Sequence, residues 1–225
     1  MKPTAKSETF VPADTRTMRV VHNAIRRDLP RARGALTTAP YPADAQRVAL
    51  AEHLQTVAEF LHKHHEAEET KIYSLVRRDP STHALLDEME ADHDALDPGI
   101  SALRQTTDAY RRNAAAREQV VAALDLLTEP LWPHLDREES ELMPVVSRTV
   151  SKSEWDAAEH SLVKERSLPE LAREGLWILD GATPDEQALM TALIPAPVKW
   201  IIFNVFGPGY RKRCRARWGP EIRWP

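Results

Sequence analysis

His64-His65-Glu66-Ala67-Glu68-Glu69 and, seventy residues later, His134-Leu135-Asp136-Arg137-Glu138-Glu139 decide how this 225-residue chain folds. Each stretch carries a His and a Glu four apart with a second Glu directly after, inside an apolar periodic run. On a helix, residues i and i+4 stand on one face, so each pair aims an imidazole and a carboxylate at the same point. His22 and His93 lie in apolar helical stripes of their own. Four inward histidines and two inward glutamates from four helices make a ligand set for a pair of transition metals inside a bundle.

Around these residues the chain divides into amphipathic segments. A first helix begins near Asp14 or Thr15, with Met18, His22, Ile25 and Leu29 on one face and Pro30 as a candidate kink. The second runs from about Asp44 to Arg78, through Leu50, Leu54, Val57, Leu61, His64, Glu68 and Ile72 in three-four rhythm. The third covers roughly 82–96, where Pro98-Gly99 either bends the chain or breaks it. The fourth covers about 112–147, with a bend expected at Pro130 and Pro133. Strand signals are almost absent before residue 195. The expected fold is all-α, an up-down-up-down four-helix bundle over 15–150 after a flexible 1–14 tail. Residues 151–225 are expected as a mostly helical extension packed on the bundle rather than folding alone, opened by the capping box Ser151-Lys152-Ser153-Glu154.

Composition is ordinary for a globular chain, with 28% charged and 42% apolar residues. A formal net charge of −4 argues against a general nucleic-acid binder. No apolar run reaches the roughly 18 residues that span a bilayer, and the first residues hold no apolar signal core, so the expected location is cytoplasmic. Cys214 is the single cysteine, which excludes an internal disulfide and a thiolate metal cluster.

A carboxylate buried without a partner costs several kcal/mol. One inward Glu is explained by a polar core pair, but two with the same His spacing, beside His22 and His93, point to metal. The phase on the second helix has two solutions. Ile72-Tyr73 follow His64 at the offsets of Leu142-Met143 after His134, which favours His64 with Glu68; His65 with Glu69 is the alternative. Glu69 and Glu139 then fall where they accept hydrogen bonds from the ligands' outer nitrogens or form ion pairs between helices. His53 and His83 are expected at the surface. His160 either covers the metal site or caps a short helix. Imidazole and carboxylate donors suit iron or manganese better than copper. Six such side chains, with two bridging carboxylates, give about eight contacts where two octahedral ions take about twelve, so positions stay open for small ligands.

These motifs resemble the hemerythrin-like, HHE cation-binding family. The resemblance rests on Val21-His22-Asn23-Ala24-Ile25-Arg26, on His64 to Glu69, on Ala91-Asp92-His93-Asp94-Ala95-Leu96, and on His134 to Pro144, in that order and over roughly 15–147. It implies a non-haem di-iron centre, oxo- or hydroxo-bridged, held by His22, His64, Glu68, His93, His134 and Glu138, with manganese or zinc as alternative metals. The oxygen-carrying members have five histidines, two of them four apart on the third helix. Here Met89 and Asp97 occupy the positions four away from His93, so the resemblance implies one histidine fewer and, with it, reaction with dioxygen, peroxide or nitric oxide rather than reversible carriage. A metal-dependent sensor or partner-binding module, or a biosynthetic di-iron oxygenase whose extension lines a substrate pocket, are the alternatives.

Residues 196–225 gather Trp200, Trp218, Trp224, Phe203, Phe206 and Tyr210 with seven Lys or Arg. The acidic stretch 59–97, with eleven Asp or Glu against four Lys or Arg, is a complementary surface for them. An aromatic lid on the bundle is the leading expectation, and peripheral membrane contact the second.

Overall fold

The computed structural model describes residues 10–219, so most of the 1–14 tail, Arg223 and Trp224 lie outside it. Four long helices form the frame. Helix α1 (Arg16–Thr37) runs through Pro30 without ending. Helix α2 (Asp44–Ala67) continues through a π-helical turn, Glu68–Tyr73, into Ser74–Val76. Helix α3 (His83–Arg112) is continuous through Pro98-Gly99, which therefore does not break the chain. Helix α4 (Arg117–Arg137) carries Pro130 and Pro133 and passes through a second π turn, Glu138–Leu142, into Met143–Thr149. Helix α2 packs along α3 and α3 along α4, while α1 closes against α4 and α2.

Gly99 explains why α3 and α4 lie so close. A β-carbon at that position would stand 2.6 Å from the Leu127 Cα. The dipeptide that looked like a breaker is thus a contact point, where the missing side chain lets two backbones meet.

Val11 and Ala13, just before α1, are tied to the start of the extension: the Ala13 amide donates to Val150 O and the Lys152 amide to Val11 O. The extension consists of α5 (Lys152–Glu165), α6 (Leu168–Ile178), α7 (Pro184–Ala192) and α8, which comprises Ala196–Ile201, a π turn Ile202–Phe206, and Gly207–Trp218. Capping boxes start α5 at Ser151-Glu154 and α7 at Thr183-Glu186. Helices α6 and α7 lie on α1, and α8 on α2 and α6. No strand occurs among the described residues, only an isolated bridge between Pro12 and Ser151, and no described helix is long and apolar enough to cross a membrane.

Buried apolar residues fall into two clusters. The larger joins Ile25, Leu54, Leu103 and Leu127 of the bundle to Leu176, Trp177 and Tyr210 of the extension, so the two segments share one core. The smaller gathers Met18, Ile72, Tyr73, Met89, Leu142 and Trp155. Along each long helix the inward histidines and glutamates lie between these clusters.

The aromatic stretch packs only in part. Ile202, Tyr210 and Cys214 are buried, whereas Trp200, Phe203 and Val205 face solvent. The acidic stretch finds cations within the bundle: Arg137 pairs with Glu88 and Asp92, and Arg77 with Asp87 and Glu90. Arg217 turns inward, where its guanidinium lies near the Trp218 ring.

Candidate metal centre

Seven side chains from four helices converge in the polar layer, in two groups. His22 of α1, His64 and Glu68 of α2 and Glu138 of α4 form one; His65 of α2, His93 of α3 and His134 of α4 form the other. Within each group one potential ligand atom per residue lies within 4.8 Å of the rest, so each could hold a metal ion. The carboxylates span the groups. Glu68 places Oε1 2.9 Å from His64 Nε2 and Oε2 3.6 Å from His93 Nε2. Glu138 Oε2 stands 3.2 Å from His22 Nε2 and 4.0 Å from His134 Nε2. The six residues expected from the sequence are therefore together, and His65 joins them.

Chemistry of the donor set fits a cation. Nε2 of His22, His64, His65 and His134, and both oxygens of Glu68 and of Glu138, are buried without a hydrogen-bond partner. Unpaired buried polar atoms are rare and costly in a folded protein. Here they are clustered, carry lone pairs and face one another at distances too poorly aligned for mutual hydrogen bonds. A divalent ion in each group would satisfy them together.

Two of the outer nitrogens are already engaged: His22 Nδ1 lies 2.8 Å from Glu139 Oε1 and His93 Nδ1 2.7 Å from Glu69 Oε1. His134 Nδ1 stands 3.5 Å from Asp92 Oδ2 without a hydrogen bond. With Nδ1 donating to a carboxylate, the Nε2 lone pair points inward and the ring is held in orientation. Arg26 in turn donates to Glu139 and Asp136, and Arg137 to Asp92.

Without an ion, the layer is electrostatically stressed. Burial and the neighbouring Glu138 push the Glu68 carboxyl well above the usual range. Burial also opposes a charged His22, but the neighbouring Glu138 and Glu139 carboxylates outweigh it and lift the ring to about 9. That proton holds Glu138 down, to about 2, against its own burial. His64 and His134 fall to about 4 through burial, and His65 falls well below its ordinary value for the same reason. A proton on His22 thus occupies part of the place a cation would take.

Both π turns of the bundle begin at the glutamates. The Glu68 amide donates to the carbonyls of His64 and His65, and the Glu138 amide to those of His134 and Leu135. A π turn inserts one residue and shifts the phase of all that follows, a feature frequent at functional sites. It explains why Glu69 and Glu139 also reach ligand rings one helix away.

The choice between His64 and His65 dissolves in the structure. Adjacent residues stand about 100° apart on a helix, so His64 faces the first group and His65 the second. His65 is a fifth inward histidine, where Met89 and Asp97 offer none; Met89 is buried in the smaller core and Asp97 is exposed. The adjacency of two histidines was the available signal, discarded by assigning one inward position per turn. Tyr73 was also missed: its hydroxyl lies 3.4 Å from His93 Nε2, and burial pushes its pKa up. His83 and His160 are exposed, the latter bonded to the Asp156 carbonyl.

His53 corrects another expectation. It is buried rather than at the surface, with Nε2 2.7 Å from Asp28 Oδ2, because Trp177 and Trp218 of the extension cover it. Trp177 Nε1 donates to the same carboxylate at 2.9 Å and Arg27 Nε to its other oxygen at 2.8 Å. Burial takes His53 down to about 4. The imidazole is therefore neutral at pH 7, and Arg27 supplies the charge that balances Asp28.

A helical bundle with a buried His and carboxylate cluster for a metal is the class that fold and site define. The family model for the hemerythrin HHE cation binding domain matches residues 13–146, and the chain belongs to that family. Comparison with curated proteins and with solved structures finds no match.

Proposed function

We propose that the chain is a non-haem di-iron protein whose ligands are His22, His64, Glu68 and Glu138 in one group and His65, His93 and His134 in the other, with Glu68 and Glu138 reaching both. The observation that carries this reading is the set of buried, unpartnered nitrogen and oxygen atoms facing one another across the polar layer. Five imidazoles and two bridging carboxylates provide about nine contacts, fewer than the roughly twelve of two octahedral ions. Bound iron would supply redox chemistry and open positions for dioxygen, peroxide or nitric oxide.

The chain's own residues set the conditions for that chemistry. Glu139 and Glu69 hold the outer protons of the His22 and His93 rings, and Asp92 stands beside His134. Tyr73 places a hydroxyl beside His93. The two apolar clusters exclude bulk water from above and below the layer. Among the seven side chains, His64 has the largest exposure, 12%, so a small ligand approaches from its side.

Elemental analysis of iron-loaded protein tests the binding, with about two irons per chain expected. Optical spectra of the anaerobic protein, taken before and after dioxygen, peroxide or nitric oxide, test the reactivity. Protein that takes up no iron, or iron-loaded protein whose spectrum none of the three changes, refutes the proposal.

A further inference from the structure

The exposed side of His64 meets an apolar cavity of about 180 Å³, partly open to solvent, between the bundle and the extension, lined by His64 and Glu68 on one wall. The bundle contributes Val21 and Phe60, and the extension Leu162, Val163, Ile178 and Met190, so five different helices build its walls. We infer that this cavity is a binding site for a small apolar organic molecule, the size of one aromatic ring with a short substituent, seated against the His64–Glu68 edge of the metal centre. That the occupant meets a metal there rests on the function proposed above.

Size sets the ligand class. An apolar cavity of about 150 Å³ stays dry and accepts benzene, so a space of about 180 Å³ takes a slightly larger molecule. The lining sets its polarity. Polar side chains at the margin are already engaged with one another: Thr17 Oγ1 donates to Glu159 Oε1 at 2.5 Å, and Arg166 Nε lies 3.2 Å from Glu174 Oε2. A guest therefore finds mostly hydrocarbon walls, and the polar atoms without partners along them are those of the His64–Glu68 edge and Trp155 Nε1.

Gly175 gives independent support. It lies within α6 and lines the cavity, and a β-carbon there would meet no atom within 4 Å. A helix-interior glycine costs stability relative to alanine. At Gly99 the close approach of Leu127 accounts for that cost; at Gly175 no backbone is near. What the absent side chain leaves at Gly175 is space inside the cavity.

The probe for the test is fluorobenzene, followed by its fluorine NMR signal in the full-length chain loaded with zinc or with manganese. Saturable binding is expected in both forms, with strong paramagnetic broadening in the manganese form alone. Gly175→Ala, Gly175→Leu and Gly175→Phe are expected to weaken binding stepwise, by more than tenfold for Phe, while metal content and helicity stay at wild-type values. Absence of saturable binding in the wild type, or undiminished binding in both Gly175→Leu and Gly175→Phe, overturns the site. Binding with equal line widths in the two metal forms overturns its placement beside the centre. A chain that takes up neither metal but still binds fluorobenzene, with the graded loss at Gly175, refutes the metal reading and leaves the cavity standing.

Discussion

Replacing Glu68 by Leu is expected to raise the stability of the metal-free protein while removing its response to metal. In the metal-free state both Glu68 oxygens are buried and unpartnered, beside Glu138. His64 is neutral at pH 7, and the proton of His22 is held by Glu138 and Glu139. Removing Glu68 therefore strands no cation. Replacing a buried polar group that has no partner by a packed hydrophobic one of similar volume recovers its desolvation penalty, about 1–3 kcal/mol. At roughly 2–4 °C per kcal/mol for a chain of this size, Tm should rise by on the order of 2–12 °C. Metal at a hundredfold excess over Kd adds about 2.7 kcal/mol to the wild type, and the variant should lose most of that increment. The effect also has a pH sign. A carboxyl whose folded pKa is raised stabilises below its unfolded value, near 4.5, and loses that contribution as pH rises toward the folded value. The gain in Glu68→Leu should therefore grow with pH. Calorimetry of chelator-treated and metal-loaded protein between pH 5 and 9 measures both effects. A variant less stable than wild type without metal, by the 3–5 kcal/mol typical of a broken buried pair, would refute the assignment of Glu68 as a ligand.

His65→Ala should lower metal content from about two ions to about one, since the other group is intact; two ions retained would show that His65 is not needed. Asp28→Ala should cost about 3–5 kcal/mol by leaving Arg27 unpaired beside buried His53 and Trp177, and should make residues after 150 more sensitive to protease. An unchanged digestion pattern would mean that Asp28 does not anchor the extension. His53, with a folded pKa of about 4 against 6.5 unfolded, contributes stability above pH 6.5 that is lost as pH falls toward 4. His53→Asn should flatten that part of the stability profile, and an equally steep profile would refute the neutral imidazole. Gly99→Ala should destabilise by about 1–3 kcal/mol, because its β-carbon must displace the α4 backbone at Leu127; a Tm equal to wild type would show that the helices separate at no cost.

Periodicity carried the fold because each long helix owes its stability to one buried stripe, and that stripe is written in the order of residues. Leu50, Leu54, Val57 and Leu61 are all fully buried, as their spacing requires. Local breaker rules did less well at Pro98-Gly99. A proline inside a helix loses one hydrogen bond, but the packing of Leu96, Ile100 and Leu103 on α2 and α4 outweighs that loss. His53 shows the opposite limit. Nothing near it in sequence announces burial, because the residues that cover it, Trp177 and Trp218, are more than a hundred positions away.

Within the site, the sequence fell short at helix geometry. Choosing between His64 and His65 assumed one inward position per turn, which suits an apolar stripe facing a single core. A bundle that holds two groups side by side presents two inward directions, and consecutive residues can serve both. The π turns add to this. A regular helix would carry Glu69 about 100° away from Glu68 and hold that phase onward, yet Glu69 reaches His93 while Glu68 lies between the groups. Each widened turn therefore lets two successive glutamates act at different depths, one facing inward and one holding the outer nitrogen of a ring on another helix. The same device at Glu138 and Glu139 means that, on the proposed reading, the repeated motif encodes more than a ligand pair: His, Glu and the following Glu together would specify a donor, a bridge and the partner that orients a neighbour's donor.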